Sequence, residues 1–535
     1  MTRPHHRVGE MAWNAWGDPG QARTLNDSVR QLIGQALGVS ATAPAPVAES
    51  DLTLPPSALP EPVHAALTAV VGADQVLTDP ASRIRHTGGK STPDLLRRRA
   101  GDVSTAPDAV VCPGTHQEVE ELLAACAWHR IAVVPFGGGT SVVGGVEPLR
   151  GTFDAVVSVD LRRLDRLVRL DEESGTATLE AGLRTPEAEE LLGAHGLTLG
   201  HFPQSFEYAT IGGYAATRSS GQASAGYGRF DDMVVGLRVA TPKGTLDLGR
   251  APASAAGPDL RQLFLGSEGV LGVITEVTVR VRKLPAERAD EAWSFPDFAT
   301  GVAAVRQLAQ TGALPTAMRI SDETETFVNA AVAGAEAPPG CLAVVSYEGT
   351  AEQVAERRAV VGGLLRERGA TALDSETATA WRRSRFSGPY MRDALLDIGI
   401  LTETLETAAS WSRLAKLREQ VTRALTESLG HDGPDPVVFC HLSHAYPSGA
   451  SLYFSVAAAA GEAPEARWRA AKQAAGDVIA ANGATISHHH AVGSDHRPWM
   501  EDEIGPLGVE VLAAVKSAVD PVGVLNPGKL IPTVS

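Results

Sequence analysis

Apolar positions recur along this chain with two periods, and the switches between them outline its elements. Val119, Leu122, Leu123 and Cys126 share one face of a helix that Thr115-His116-Gln117-Glu118 opens as a capping box. Trp411, Leu414, Leu417, Val421, Leu425 and Leu429 mark a second helix over residues 411–429, and residues 298–310 and 28–37 read the same way. Thr185-Pro186-Glu187 is a helix start, with a cap, a proline at the first helical position and an acid in the first turn. Strands are expected at 109–113, 132–134, 155–161, 177–182, 233–240, 317–320, 342–347 and 452–456. A half-exposed strand at 272–282 alternates Val277, Val279 and Val281 with Thr278, Arg280 and Arg282.

These periods divide the chain. Residues 1–104 read as a helical extension and linker: Trp13 and Trp16 act as a packing anchor, and residues 41–62 are rich in Pro, Ala and Ser. Residues 105–284 form one α+β domain and residues 285–485 a second, capping it. Residues 486–535 complete the site and the first domain. The cut into several domains is what 535 residues demand, because a single core stops growing well below that length.

Composition narrows the partners. With 44% apolar and 21% charged residues the chain is an ordinary globular protein. A net charge of −16 argues against nucleic acid, which needs a basic surface, but permits a small phosphorylated ligand. Cys112, Cys126, Cys341 and Cys440 are far apart and form no C-x-x-C, which fits a reducing cytoplasm without a disulfide framework. No run approaches the roughly 18 apolar residues of a membrane span, and no signal-peptide core stands at the N-terminus. Peripheral contact with a lipid surface stays open.

The chemistry begins where a strand runs into Pro135-Phe136-Gly137-Gly138-Gly139-Thr140-Ser141. Glycines let backbone amides converge at close range, as a phosphate or pyrophosphate requires. The loop is not a P-loop, since no lysine follows. Gly88-Gly89-Lys90-Ser91 is not one either, because Ile84 stands at the position of the first glycine. Two further loops pair glycines with small hydroxyl residues: Pro203-Gln204-Ser205-Phe206-Glu207-Tyr208-Ala209, leading through Gly212-Gly213 to Ala216-Thr217-Arg218-Ser219, and Glu268-Gly269-Val270-Leu271-Gly272-Val273-Ile274. Three such loops in one region indicate one large polar cofactor.

In this order and spacing the three loops resemble the FAD-binding (PCMH-type) domain of the vanillyl-alcohol-oxidase flavoprotein superfamily, and Asn526-Pro527-Gly528-Lys529 is a typical ending. Within it the chain is most similar to the alkyldihydroxyacetonephosphate synthases, on Trp13-Asn14-Ala15-Trp16-Gly17, Met391-Arg392-Asp393, residues 403–411, Ala450-Ser451-Leu452-Tyr453-Phe454 and Ser487-His488-His489-His490-Ala491-Val492-Gly493. The resemblance implies a two-subdomain FAD-binding domain with an α+β substrate-binding cap, non-covalent FAD and a homodimer. It implies a redox-neutral transfer in ether-lipid synthesis, in which acyl-dihydroxyacetone phosphate exchanges its fatty acid for a fatty alcohol while flavin N5 holds the substrate carbon.

By position, Tyr453 matches the family's acid/base residue, Arg392 its phosphate-binding arginine, and Arg319 another arginine near the site. A tyrosine needs a neighbouring positive charge or hydrogen-bond donor to act near neutrality, and His488, His489 and His490 are the candidates to supply it. On an extended segment His488 and His490 would face one side and His489 the other. No metal is assigned, because no H-E-x-x-H or second ligand cluster accompanies the histidines. His441 stands where the animal enzymes would carry arginine, and Ala491 replaces a glycine. The alternative is a flavin dehydrogenase or oxidase for a 2-hydroxy acid such as D-lactate or D-2-hydroxyglutarate. Its H-x-G-D-G-N and G-E-H-G segments are replaced here by His444-Ala445-Tyr446-Pro447-Ser448-Gly449 and Ser487-His488-His489-His490-Ala491.

Overall fold

The architecture is that of a computed structural model describing residues 2–25, 27–39, 43–431 and 433–532. Three sheets carry it. The first joins β1 (Val76–Leu77), β2 (Ala109–Val111), β3 (Ala132–Phe136) and β4 (Val156–Asp160) in the order β1-β2-β4-β3, parallel at β2-β4-β3 and antiparallel at β1-β2. The second holds β5 (Leu167–Asp171), β6 (Thr176–Glu180), β8 (Val234–Thr241), β9 (Gly244–Leu248) and β10 (Val273–Arg280) in the antiparallel order β5-β6-β10-β8-β9. A small ribbon pairs β7 (Leu197–Thr198) with β11 (Arg282–Lys283).

The third sheet belongs to the cap. It is seven-stranded and antiparallel, in the order β15-β12-β14-β13-β17-β18-β16, from β12 (Glu287–Phe295), β13 (Ala317–Ser321), β14 (Cys341–Gly349), β15 (Thr371–Ala372), β16 (Ile400–Ser410), β17 (Val437–Ala445) and β18 (Gly449–Ala459). The Phe298–Gln310, Leu414–Gly430 and Pro464–Ala481 helices bury one face each against it. Each sheet thus has its own apolar cluster, as expected of separately packed layers.

Local expectations hold with shifts of a residue or two. The His116–His129 helix buries Val119, Leu122, Leu123 and Cys126, and Thr115 caps it. The box is open, however: Glu118 turns back to the amide of Gly114 at 2.7 Å. Thr185 is the first helical residue rather than the cap, which is Arg184, and its hydroxyl bonds the Tyr214 phenol at 2.5 Å. The helix expected from Trp411 starts at Leu414; the indole instead donates to the carbonyl of Tyr446 at 3.0 Å.

The N-terminal hundred residues are not an appendage, which corrects the boundary at 104. The Glu61–Val71 helix places Val63, Leu67 and Val71 in the core of the first sheet, and β1 pairs with β2. The composition that suggests a linker covers residues 43–60, while residues 40–42 lie outside the described ones. Ahead of it, residues 2–18 form a strap. Thr2 bridges to Leu167, buried Arg184 donates to the carbonyl of Val8 at 2.9 Å, and the amide of Trp16 donates to Asp393 at 2.5 Å. Buried Lys90 holds the strap by the carbonyls of Ala12 and Ala15. At the other end of the chain, the amide of Val133 donates to the carbonyl of Val524 and the Val133 carbonyl accepts from the amide of Asn526, a parallel bridge to Leu525 that returns the C-terminus to β3.

A candidate flavin and acid/base site between the two domains

A cavity of about 1640 Å³ runs between the first domain and the cap. A single small-molecule site occupies roughly 300–1,000 Å³, so this one has room for a large cofactor and a substrate together. One wall is the glycine loop after β3, from Gly137 to Ser141, facing Gln204, Ser205 and Ala209. The two loops touch directly. A Cβ on Gly138 would lie 2.0 Å from the carbonyl of Tyr208, and one on Gly137 would lie 2.4 Å from Thr210 Oγ1, so only glycine permits the approach. Ser141 Oγ accepts from the amide of Gly145 at 3.0 Å, which folds the loop back on itself. Thr217 and Ser219 complete the hydroxyl-lined wall. Backbone amides, hydroxyls and a surface stripped of Cβ atoms are a donor set fitted to a dinucleotide cofactor.

The opposite wall carries the acid/base chemistry. Tyr453 projects from β18 into the cavity, and burial pushes its hydroxyl up to about 12. Behind it, fully buried Glu406 on β16 accepts from three successive amides: His488 at 2.6 Å, His489 at 3.1 Å and His490 at 2.9 Å, with Ser487 Oγ at 2.8 Å. Burial alone would raise this carboxyl. The surrounding histidines and the amide of His490 outweigh it and hold the group well below the usual carboxylate range. Wrapped around one carboxylate, the run is a turn and not an extended segment, which corrects the expected alternation. His489 and His490 both face the cavity, while His488 turns away to bond the Tyr446 phenol at 2.6 Å.

Burial depresses His488 and His489 to about 3 and His490 to about 4, so all three are neutral near pH 7. As neutral rings they offer N–H donors to the site rather than a positive charge. The cations in this part of the cavity are Arg319 and Arg392, which line it together with the acids Glu325 and Glu403. Arg319 pairs with Glu325 at 2.5 Å. Arg392 pairs with Asp393, whose Oδ1 lies 3.1 Å from both Nε and Nη2, and donates through Nη1 to the carbonyl of Lys90. A guanidinium lining a cavity suits a bound anion.

Several residues expected to bind the cofactor do not line the cavity. Arg218 turns outward to Asp231 and Gln262. Pro135, Phe136, Phe206, Glu207, Tyr208 and Ala216 stand behind the two loops: Phe136 packs on His86, Tyr208 meets the edge of Trp16, and the carbonyl of Ala216 takes the amide of Glu268. The segment from Glu268 to Ile274 is set further back. Glu268 accepts from the amides of Val492 and Gly493 at 2.9 and 2.8 Å, Gly269 rests on Pro135, Gly272 rests on Val239, and Val270, Leu271, Val273 and Ile274 are core. These residues brace the cradle, and their apolar run is the sign of it. Glu325, from the Glu323–Ala333 helix, has no signature in sequence; Glu406, His441 and His444 lie in segments that the sequence singles out, and the pairing of β16, β17 and β18 gathers them beside Tyr453.

Comparison with known proteins agrees with this construction. Residues 107–248 match the family model "FAD binding domain", and residues 284–530 match "FAD linked oxidases, C-terminal domain". The alkyldihydroxyacetonephosphate synthase of Trypanosoma brucei brucei is 32% identical over 98% of this chain and 93% of its own length. That of Dictyostelium discoideum is 35% identical over 90% of this chain and 82% of its own. A solved alkyldihydroxyacetonephosphate synthase structure superposes with a TM-score of 0.85 at 30% identity, covering 97% of this chain and 99% of that one. With its cradle for FAD and its tyrosine and histidines on the facing sheet, the chain belongs to the alkyldihydroxyacetonephosphate synthase family of FAD-dependent enzymes.

Proposed function

We propose that the protein exchanges the fatty acid of acyl-dihydroxyacetone phosphate for a fatty alcohol. One observation carries the reading: a single cavity is lined by the glycine cradle, Arg392, Tyr453 and the apolar side chains of Leu25, Ile33, Leu37, Val437, Phe439 and Ala457. Those side chains give part of the wall the apolar character that an alkyl chain requires.

Arg392 would hold the phosphate, with Asp393 fixing its fork. Tyr453 would take a proton from the carbon bearing the ester and return it to the same face. The ester C–O bond breaks, the fatty acid leaves as a carboxylate, and the alcohol oxygen bonds to that carbon as its own proton is lost, so no net oxidation occurs. FAD supplies, when bound, a ring that takes up an electron pair and gives it back. The strap and the Asp27–Leu37 helix close one side of the cavity and keep bulk water from the reacting carbon.

The test is Tyr453→Phe. It keeps the ring and the strand packing but removes the hydroxyl, and turnover should fall roughly a hundredfold to ten-thousandfold while FAD content is unchanged. Exchange of the substrate C1 proton with deuterated solvent should fall with it. A variant that turns over at the wild-type rate would return Tyr453 to the core. A 2-hydroxy-acid oxidoreductase would instead reduce the flavin with D-lactate or D-2-hydroxyglutarate under anaerobic conditions, and acyl-dihydroxyacetone phosphate would leave the flavin spectrum unmoved.

Three further readings go with it. Exposed Phe327, at the cavity edge on the Glu323–Ala333 helix, supports peripheral contact with a lipid surface, which vesicle co-sedimentation of a Phe327→Glu variant would test. Exposed Ile504, Leu507 and Val511 on the Met500–Val519 helix support a homodimer, which light scattering would test. Four free cysteines support a reducing compartment such as the cytoplasm; localisation of a tagged chain would test it. Among the described residues, no helix is long and apolar enough to cross a membrane.

A further inference from the structure

Tyr453 and His441 are direct partners in the β17–β18 register, and their rings stack with centroids 4.7 Å apart and planes 20° from parallel. His489 lies nearly parallel to the same phenol at 6.1 Å. The imidazole of His441 is not free to turn. Its Nδ1 is 3.1 Å from Glu325 Oε1, the oxygen that Arg319 Nη2 also reaches at 2.5 Å. Glu325 enters from the first turn of the Glu323–Ala333 helix, fully desolvated, with Oε2 unpartnered. Burial would raise its carboxyl, but Arg319 and His441 hold it at about 2, so it is an anion. An anion on Nδ1 selects the tautomer protonated there and fixes the ring plane.

We propose that His441, anchored by Glu325, is a positioning residue for Tyr453, and that the chain Arg319–Glu325–His441 sets the acidity of the tyrosine hydroxyl. This rests on the reading of Tyr453 as the proton-transfer group. A buried phenol needs a nearby positive charge to ionise, and the histidine run is neutral. His441 is the imidazole that both lies flat on the phenol and carries its own counter-ion. A proton on that ring favours the phenolate; its loss favours the phenol. Burial and Arg319 oppose that proton more than Glu325 supports it, so the ring holds it below the ordinary imidazole value of 6.5 and loses it as the pH rises. The other ionisable groups near it are His444 on the same strand and His489 from the C-terminal turn, both neutral. Tyr453 itself also feels Glu403 and Glu406 from β16, which oppose its ionisation, and Arg319, which supports it.

The experiment compares His441→Asn and His441→Arg in the holoprotein. Asparagine still offers Glu325 an N–H but has neither ring nor charge; arginine supplies a permanent cation. Tyr453 ionisation is read without substrate by NMR of ring-carbon-labelled tyrosine, its signal identified by Tyr453→Phe. The midpoint should rise by about one pH unit in His441→Asn, equivalent to roughly tenfold less phenolate at a given pH, and return to or below the wild-type value in His441→Arg. C1 proton exchange should fall about tenfold in the first and recover in the second. Glu325→Gln should move the midpoint in the same direction as His441→Asn, and it serves if that variant does not fold. A midpoint unmoved in His441→Asn, or raised equally in both variants, overturns the proposal. Wild-type protein that does not exchange the C1 proton at all overturns the proposed function instead, and the NMR measurement stands apart from it.

Discussion

Glu406 and Tyr453 face each other directly across the β16–β18 pair, so their side chains share one face of the cap sheet. That register couples two parts of the site distant in sequence. By gripping the amides of His488, His489 and His490, Glu406 brings His489 and His490 against the Tyr453 ring, at 6.1 and 5.7 Å between centroids.

Glu406→Gln should therefore misplace the histidine run more than it disturbs the flavin. Glutamine keeps one acceptor oxygen and turns an NH₂ group toward amides that need an acceptor. Hydrogen bonds to a charged group are worth about 1.5–3 kcal/mol each, so a loss of about 2 kcal/mol or more is expected in a denaturant melt. FAD content should stay normal. A variant as stable as the wild type would show that the run holds its shape without this carboxylate.

Arg392→Ala should raise the apparent Michaelis constant for the phosphorylated substrate about tenfold or more, because charge-assisted contacts to phosphate are the strong ones. Flavin binding should not change. Trp16→Ala gives the contrasting case: it leaves Arg392 in place but loosens the strap whose amide holds Asp393, the partner of that arginine. A smaller rise is expected there. Normal substrate binding by Arg392→Ala would remove it from the phosphate site.

The flavin should come free on acid precipitation. No cysteine lines the cavity, and His201, the histidine nearest the cofactor loops in sequence, is shut between Tyr214 and Phe230 behind Ser219. Colour retained by the pellet would mean a covalent link. Gly138→Ala should bind little FAD, since its methyl group would meet the backbone carbonyl of Tyr208 and push the two loops apart.

Stability should fall as the pH drops below 6.5. In the folded chain burial holds His201, His488 and His489 to about 3, and His490 and His496 to about 4. Above the ordinary value of 6.5 these groups are neutral in both states; below it the unfolded chain takes up protons that the folded chain refuses. Their contribution is thus present above 6.5 and is lost as the pH falls toward 4 and 3. Glu268 has the opposite sign: burial raises it from 4.5 to about 7, so its contribution is present below 4.5 and is lost as the pH rises through 7. Burial also raises Glu147, Glu189, Glu207, Asp322 and Glu403, with the sign of Glu268, and lowers His116, His441 and His444, with the sign of the other imidazoles. The imidazole shifts prevail, and melting temperatures of the holoprotein should decline from pH 6.5 to 4.5. A flat profile over that window would mean the imidazoles are hydrated.

The cofactor half of the site was legible because its signal is local. The approach of the 137–141 loop to the 203–210 loop needs residues without Cβ atoms, and a run of glycines after an apolar strand states this need directly. The same locality made Thr115 readable as a cap and the Leu414–Gly430 helix readable from its apolar stripe. Glu268 to Ile274 carries the same kind of signal, and its glycines make close approaches to Pro135 and Val239.

What the sequence by itself determined was the α+β elements, the glycine cradle, and the residue types at Tyr453, Arg392 and Arg319, since propensity, capping and steric need act over a few neighbouring positions. Only the tertiary structure decided which side chains meet. The β16–β18–β17 register set Glu406 and His441 beside Tyr453, and the docking of the Glu323–Ala333 helix brought Glu325 to His441. The burial that results left the three histidines neutral. Pairing between strands and the dielectric around a group are properties of the packed whole, and no local pattern of residues encodes them.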